Sequence, residues 1–170
     1  ILTISDAGAR GERAVDGSGD AIAEWVTKRT RPSETGAAGS GGGADIKVDR
    51  AVVPDDVTAI ARQLIAWSDG DVADLVLTTG GTGLSPRDIT PEATRVVLER
   101  EAIGIAERIR VLSVESFPRA ALSRGVAGVR ARTLIINLPG STSGVRDGLA
   151  AIDPIIDHAV RITRGVDTHH

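Results

Sequence analysis

The chain has 170 residues, of which 41% are hydrophobic and 2% aromatic, and it carries a formal net charge of −3. This length corresponds to one domain, which can bury a core without disulfides or a structural metal. The absence of cysteine excludes thiol catalysis and cysteine-ligated zinc, and 20 basic against 23 acidic residues argue against a nucleic-acid partner, which requires a concentrated basic face.

The first third of the chain predicts two strands that flank one helix. Residues 1–5 form a strand, residues 10–20 a polar Gly-rich loop, and residues from about 20 to 30 a helix with its apolar side chains on one face. Residues 33–45 resemble a flexible linker, and we expect a surface loop there rather than a phosphate-binding loop, because no helix start follows them. Residues 46–53 alternate apolar and polar side chains, which predicts a strand.

The remaining elements alternate in the same way. A helix follows Asp55 and Asp56, either of which can cap it. The later predictions are a buried strand at 72–78, a loop at 79–89, a helix with Thr90 as N-cap and Pro91 as first helical residue, a helix at about 103–115, a buried strand at 133–138, and a last helix from 143 or 144 to about 164 that Pro154 should kink or divide.

Alternating strands and helices predict an α/β fold in which a mostly parallel sheet is covered on both faces. Right-handed crossovers place the carboxyl ends of parallel strands along one edge, where such folds bind ligands. The sequences at those ends are Ser5-Asp6, Pro54-Asp55, Thr79-Gly80-Gly81-Thr82-Gly83 and Pro139-Gly140-Ser141. Two carboxylates and two Gly-containing turns should therefore converge.

The run 80–83, Gly-Gly-Thr-Gly, is the best candidate for binding an anion. Glycine allows positive φ and close approach of the backbone, and successive N–H groups in such a turn bind phosphate. The alternative is a tight turn without a ligand. The run lacks the Gly-Lys-Ser/Thr of a Walker loop and the G-x-G-x-x-G of a dinucleotide fold, so neither class is favoured.

Two carboxylates flank this run in the predicted fold. Asp88 and Asp55 could hold Mg²⁺, which favours one or two carboxylates together with phosphate oxygens and water. Helix capping or loop hydrogen bonding explains each of them as an alternative. Arg87 could contact phosphate or form a surface ion pair. Arg124 could match a phosphate with its guanidinium, but the residues around it favour a solvated loop. The histidines are assigned no metal.

Segment 78–94, TTGGTGLSPRDITPEAT, resembles the hallmark of the molybdopterin-binding MogA/MoaB family, which includes the G domains of gephyrin and its plant counterpart. Three further segments agree in order: ISDAGARGERAVDGSG near the start, VPDD at 53–56, and ALSRGVAGVRARTLIINLPGS at 121–141. The resemblance covers almost the whole chain. It therefore predicts a single molybdopterin-binding domain over 1–170, with a flexible Gly-rich loop at about 33–45.

The resemblance implies a three-layer αβα fold, a homotrimer, and an enzyme of molybdenum cofactor biosynthesis. Adenylyltransferase members bind molybdopterin and Mg-ATP, transfer AMP to the terminal phosphate of the pterin and release pyrophosphate. By matching positions, Asp55 and Asp88 become the catalytic, Mg²⁺-associated carboxylates. The implied nucleotide and phosphate site comprises Ser5, Asp6, Thr79, Gly80, Gly81, Thr82 and Gly83. The implied pterin site comprises Ser123, Arg124, Pro139, Gly140 and Ser141.

Further expectations accompany this interpretation. The absence of cysteine and of a visible signal peptide predicts a cytoplasmic protein, and we expect neither nucleic acid nor membrane as a partner. The resemblance implies a molybdenum insertase as a partner. The sequence opens on a strand-like run and has no Met, so we expect the native N-terminus upstream. Ala7 and Gly17 stand where the family often has Arg, and a second proline is missing after Pro139. The alternatives are a non-catalytic carrier or scaffold of molybdopterin or nucleotide, and a related hydrolase or MoaB-like member with another substrate.

Overall fold

The computed structural model describes residues 1–12, 15–30 and 46–166, so the loop predicted at 33–45 lies outside the described residues. The strands are β1 (Leu2–Ile4), β2 (Ala51–Val53), β3 (Leu75–Thr79), β4 (Arg100–Glu101), β5 (Ala127–Arg130) and β6 (Thr133–Leu138). The helices are α1 (Asp6–Ala9), α2 (Gly17–Thr30), α3 (Val57–Asp69), α4 (Thr90–Val97), α5 (Ile103–Ser116), α6 (Thr142–Ile152) and α7 (Ile156–Thr163), with a 3₁₀ helix at Pro118–Leu122.

The strands form one six-stranded sheet in the order β2-β1-β3-β6-β5-β4. The pairs β1–β2, β1–β3 and β3–β6 are parallel, whereas β5 runs antiparallel to both β6 and β4. Each parallel strand ends at the same edge, so the segments that follow β1, β2, β3 and β6 meet there. Among the described helices, none combines the length and the apolar character that crossing a bilayer requires.

Helices cover both faces of the sheet, which confirms the predicted three-layer αβα fold. On one face, side chains of α2, α5, α6 and α7 pack against Leu134, Ile136 and Leu138 of β6. On the other face, α3 and α4 pack against Leu2 and Ile135. Successive residues of β6 thus serve opposite cores, and all six are buried, as expected for a strand covered on both sides.

Several predicted boundaries are wrong, although the elements exist. The strand predicted at 46–53 is confirmed only over Ala51–Val53, because β1 pairs with it over three residues alone. The strand predicted at 72–78 spans Leu75–Thr79, since a turn with positive φ at Asp71 delays its start. Helix α2 begins at Gly17, inside the predicted loop. The break predicted at Pro154 is confirmed, because α6 ends at Ile152 and α7 begins at Ile156.

Candidate active site

The loops after β1 and β2 are joined through two aspartates. The backbone N–H of Asp6 donates to the Asp55 carboxylate (3.0 Å), and the N–H of Asp55 donates to the Asp6 carboxylate (2.9 Å). Ser5 accepts a hydrogen bond from the N–H of Gly8 (3.1 Å) and thereby caps α1. The reciprocal pair fixes Asp55 at the carboxyl edge of the sheet, where the sequence predicted it.

Asp88 approaches the same point from the loop after β3. Its carboxylate accepts a hydrogen bond from the N–H of Ser85 (2.8 Å), which closes the loop on itself. Burial, and then the negative charge of Asp88, raise the pKa of Asp55 above its ordinary value. The two carboxylates predicted to act together are therefore close enough to repel each other.

Arg87 supplies a counter-charge to this acidic cluster. Its guanidinium forms an ion pair with the Asp6 carboxylate across the two loops. The Arg87 side chain is 69% exposed, so solvent screens much of this attraction. Arg87 thus lies among the residues around the predicted phosphate site, in the ion pair that the sequence left as one alternative.

The glycine turn (80–83) has the backbone conformation expected for it. Gly80 and Gly81 have φ of 103° and 61°, a region that strongly favours glycine. A Cβ at Gly80 would lie 2.4 Å from the carbonyl oxygen of Ile4, and a Cβ at Gly81 would lie 2.4 Å from the Thr90 hydroxyl. Both positions therefore require glycine for conformation and for space.

The turn after β6, which we call the proline turn (139–141), lies beside the glycine turn. A Cβ at Gly140 would lie 3.2 Å from the Cα of Gly80. The Thr79 hydroxyl is buried and donates to the carbonyl of Pro139 (2.7 Å), so it joins the two turns. The Thr79 side chain, predicted at the phosphate site, thus forms its hydrogen bond with the protein backbone.

Helix α4 begins one residue earlier than predicted, and Thr90 as its N-cap is wrong. The cap is Ile89, which makes no side-chain capping bond, and the N–H of Ala93 donates to the Ile89 carbonyl (3.0 Å). The N–H of Thr90 is fixed instead by the carbonyl of Gly81 (3.1 Å). With this tertiary hydrogen bond, Thr90 becomes the first residue of α4, and its side chain is completely buried.

Arg124 forms hydrogen bonds with backbone carbonyls of the glycine turn. Its N–H donates to the carbonyl of Thr82 (2.8 Å), and its Nε donates to the carbonyl of Gly83 (2.7 Å). The guanidinium also contacts the carbonyl of Asp88 and the carboxylate of Glu92. Among the residues predicted to contact pterin, Arg124 is thus engaged in holding the loop that carries Asp88.

A cavity of about 390 Å³ lies at the amino ends of the strands, far from these aspartates. A cavity of about 290 Å³ opens beside the glycine turn and is the one relevant here. Its lining includes predicted residues Gly81, Thr82, Gly83, Asp88, Ser123, Pro139, Gly140 and Ser141. Its lining also includes residues that the sequence did not single out, among them Arg110, Ser113, Phe117, Arg119, Leu122 and Asp147.

The missed residues come mainly from α5 and the 3₁₀ helix. Phe117 and Leu122 are about half exposed, which supplies an apolar wall open to solvent. In the sequence, the signal for Phe117 and Leu122 was that two large apolar side chains follow the helix predicted at about 103–115 and belong to no predicted element. The cavity thus combines an apolar wall, two guanidinium groups, and the anionic edge of the sheet.

Asp55 and Asp88 are the two carboxylates that this edge of the sheet offers to a metal ion. Over residues 1–12, 15–30 and 46–166, no group of three or more His, Cys, Asp or Glu side chains is placed to hold a metal ion. Two carboxylates with like-charge repulsion are a donor set that Mg²⁺ accepts when phosphate oxygens and water complete its shell. Asp55 and Asp88 therefore fit a metal that arrives together with a phosphate ligand.

The family described as a probable molybdopterin binding domain matches residues 1–158. The chain is 42% identical over 119 residues to the molybdenum cofactor synthesis protein cinnamon of Drosophila melanogaster, which covers 70% of this chain. It is 35% identical over 153 residues to the molybdopterin adenylyltransferase of Escherichia coli, covering 89% of this chain and 71% of that one. The chain spans only 20% of the length of cinnamon.

Solved structures agree with the same assignment. The molybdopterin biosynthesis enzyme MoaB of Thermus thermophilus superposes with a TM-score of 0.81 at 45% identity, covering 97% of this chain and 94% of that one. The matched region and this coverage establish that the chain belongs to the molybdopterin binding domain family. The resemblance seen in the sequence motifs is confirmed, and it extends to nearly the whole chain.

Proposed function

We propose that the protein is a Mg²⁺-dependent molybdopterin adenylyltransferase of molybdenum cofactor biosynthesis. The observation that carries the proposal is the convergence of Asp55, Asp88 and the glycine turn beside a cavity of about 290 Å³. The name of the Escherichia coli relative supports the same activity. A carrier that only held a ligand would have no need for two mutually repelling carboxylates at a phosphate-binding turn.

In the proposed reaction, a terminal phosphate oxygen of molybdopterin forms a bond to the α-phosphorus of ATP. The bond from that phosphorus to the oxygen bridging to the β-phosphate breaks, and pyrophosphate leaves with the electron pair. The attacking phosphate is already anionic, so the step needs no strong general base. The catalytic problem is to bring two anions together and align them.

The chain's own groups divide this task. The backbone of the glycine turn binds the nucleotide phosphates, with Ser5, Asp6, Thr79 and Thr82 shaping that side. Asp55 and Asp88 would hold Mg²⁺, which when bound would neutralise phosphate charge and polarise the α-phosphate. Ser123 and the proline turn contact the pterin, while Arg124 orients the loop that carries Asp88.

The proposal includes the assembly and setting expected from the resemblance. The active form is a homotrimer in the cytoplasm, and its adenylylated product passes to a molybdenum insertase. Sedimentation at micromolar concentration checks the trimer directly. A monomer that retains full activity would remove the trimer from the proposal.

The direct test incubates the protein with molybdopterin, ATP and Mg²⁺ and follows adenylylated pterin and pyrophosphate in equal amounts. Asp88→Ala is the control, and we expect it to abolish product while leaving pterin binding largely intact. Tight pterin binding by the native chain without product would favour the carrier. Absence of pterin binding together with ATP turnover would favour a relative with another substrate.

A further inference from the structure

The Thr90 hydroxyl is buried and has no hydrogen-bond partner. The rest of the residue is fully engaged, since its N–H donates to Gly81 (3.1 Å) and its carbonyl accepts from the Thr94 hydroxyl (2.8 Å). Buried polar atoms in folded proteins are nearly always paired, because desolvation without a partner is costly. An unpaired hydroxyl at this position therefore requires an explanation.

Buried polar side chains next to Thr90 are hydrogen-bonded, unlike the Thr90 hydroxyl. Asn137, buried in β6, donates to the hydroxyls of Thr78 and Thr94 (both 3.0 Å) and accepts from the N–H of Val126 (3.2 Å). This network runs directly behind the glycine turn, and each of these side chains has a partner. Thr90 is adjacent to the network through Thr94, yet its own hydroxyl stays outside it.

The unpaired oxygen faces the proposed catalytic edge. A Cβ built on Gly81 would lie 2.4 Å from the Thr90 Oγ1 and 3.5 Å from a carboxylate oxygen of Asp55. The two oxygens thus border the same small volume, which the missing side chain of Gly81 leaves open. One Asp55 oxygen accepts from the N–H of Asp6, whereas the oxygen nearest Gly81 is the other one.

We infer that Thr90 is a positioning residue whose hydroxyl donates a hydrogen bond to the Asp55 carboxylate when Mg-ATP binds at the glycine turn. This inference rests on the proposed function. The donor is an O–H group and the acceptor is an anion, so the bond is charge-assisted. It orients the carboxylate without Thr90 itself touching the substrate.

A protein acceptor explains the burial better than a ligand acceptor. The Thr90 oxygen has almost no solvent-accessible surface, so a phosphate could reach it only after the helix start opened. The Asp55 oxygen is already nearby, because its distance from the Thr90 oxygen cannot exceed the sum of the 2.4 Å and 3.5 Å that separate the two from the Gly81 Cβ position.

Ser68 provides a matched control within the same chain. Its hydroxyl is the other buried side-chain group without a partner among the described residues. Helix α3 has 13 residues and begins at Val57, next to the Asp55 loop. Ser68 lies at the other end of this helix, so almost the whole helix length separates it from the site. Removing either hydroxyl relieves an unsatisfied polar group, but only Thr90 should affect ligand binding.

The experiment compares Thr90→Val, Thr90→Ser and Ser68→Ala with the native chain by calorimetric melting and by titration of ATP in the presence of Mg²⁺. We expect Thr90→Val and Ser68→Ala to melt no lower than the native protein, and up to about 2–4 °C higher. Thr90→Val should weaken Mg-ATP binding about tenfold and raise the KM for ATP. Thr90→Ser and Ser68→Ala should bind within about twofold of the native protein.

If the second methyl group of valine disturbs the fold, Thr90→Ala replaces Thr90→Val as the variant without a hydroxyl. Thr90→Ser remains the variant that keeps the hydroxyl. Native Mg-ATP affinity in both hydroxyl-free variants would overturn the role of Thr90. Equal loss in Thr90→Ser and Thr90→Val would assign the effect to packing and overturn it as well. Failure of the native chain itself to bind Mg-ATP would refute the proposed function, and this inference with it.

Discussion

The two turns at the centre of the site occupy equivalent places but are built differently. The proline turn leads into α6 with Ser141 as N-cap, whose hydroxyl accepts from the N–H of Gly144 (3.1 Å). The glycine turn has positive φ at two residues, and α4 beyond it lacks a side-chain cap. The first turn thus follows the usual rules of local stability, while the second departs from them.

We interpret this difference as support for the proposed ligand site at the glycine turn. Departures from local rules tend to lie at functional sites, because elsewhere selection removes them. The glycine turn has an unusual backbone conformation, and beside it lie the carboxylates of Asp55 and Asp88 and the unpaired Thr90 hydroxyl. We therefore expect changes to the polar side chains beside the glycine turn, such as Asp88 and Thr90, to separate activity from stability. The glycines of that turn should tolerate a side chain less well than Gly140 of the proline turn does.

The largest effect on activity is expected for Asp88→Asn. Asparagine keeps an oxygen that can accept from the Ser85 N–H, so the loop should retain its closure. Loss of the negative charge removes a proposed Mg²⁺ ligand, and adenylyl transfer should fall by about 10² to 10³. Pyrophosphate release reports the rate, and urea unfolding provides the control. Near-native turnover in this variant would remove Asp88 from the metal site.

Alanine at the two central glycines tests the comparison directly. Gly81→Ala forces a positive φ on a residue with Cβ and drives that Cβ against Thr90, so it should cost about 2–4 kcal/mol. Gly140→Ala meets Gly80 at 3.2 Å without a positive φ, and a shift of a few tenths of an ångström should limit its cost to about 1 kcal/mol. Denaturant unfolding of both variants measures the gap. Equal costs would contradict the view that the glycine turn is the more constrained.

The sequence predicted the parallel part of the fold well but missed its antiparallel edge. Buried strands such as β6 can be predicted from their nearly continuous apolar sequence. The β5–β6 hairpin turns at Ala131, which adopts a φ of 49° without the Asn-Gly or Gly signal that marks such turns. Strand β4 contains only Arg100 and Glu101, both exposed, so no periodicity could reveal it.

Within the site, the sequence predicted which residues gather and was weaker on side-chain partners. Asp55, Asp88 and the glycine turn do meet, because parallel strand ends must share an edge. Thr90 followed by Pro91 has the pattern of an N-cap, but the bond from Thr90 to the Gly81 carbonyl overrides that local preference. Arg124 faces backbone carbonyls rather than the cavity, which depends on tertiary packing that no local pattern reports.

The acidic pair predicts an unusual response of stability to pH. Burial, followed by the charge of Asp88, raises the pKa of Asp55 above its ordinary value of 3.8. The folded chain therefore binds this proton more tightly than the unfolded chain, so its stabilising contribution is complete below pH 3.8 and is lost as pH rises through the raised pKa. Asp55→Asn should thus be more stable than the native protein at neutral pH.

The measurement is urea unfolding of Asp55→Asn and the native chain across pH 3 to 7. The stability difference should shrink as pH falls and vanish below about pH 3.8. Asparagine can still accept from the N–H of Asp6, which makes the comparison one of charge. A variant that is less stable at pH 7, with a gap that closes on acidification, would show that Asp55 is stabilised in its ionised form.

The smallest effect belongs to the proline turn and concerns its cap. Ser141→Ala removes the acceptor for the Gly144 N–H and should cost about 1 kcal/mol of unfolding free energy. Ser141→Asn retains a capping oxygen and should recover most of that loss. If adenylyl transfer falls in both variants by the same factor, the Ser141 hydroxyl contacts the pterin in addition to capping α6. If activity instead follows stability, being low in alanine and restored in asparagine, the proline turn contributes through its shape alone, and the contrast with the glycine turn becomes sharper.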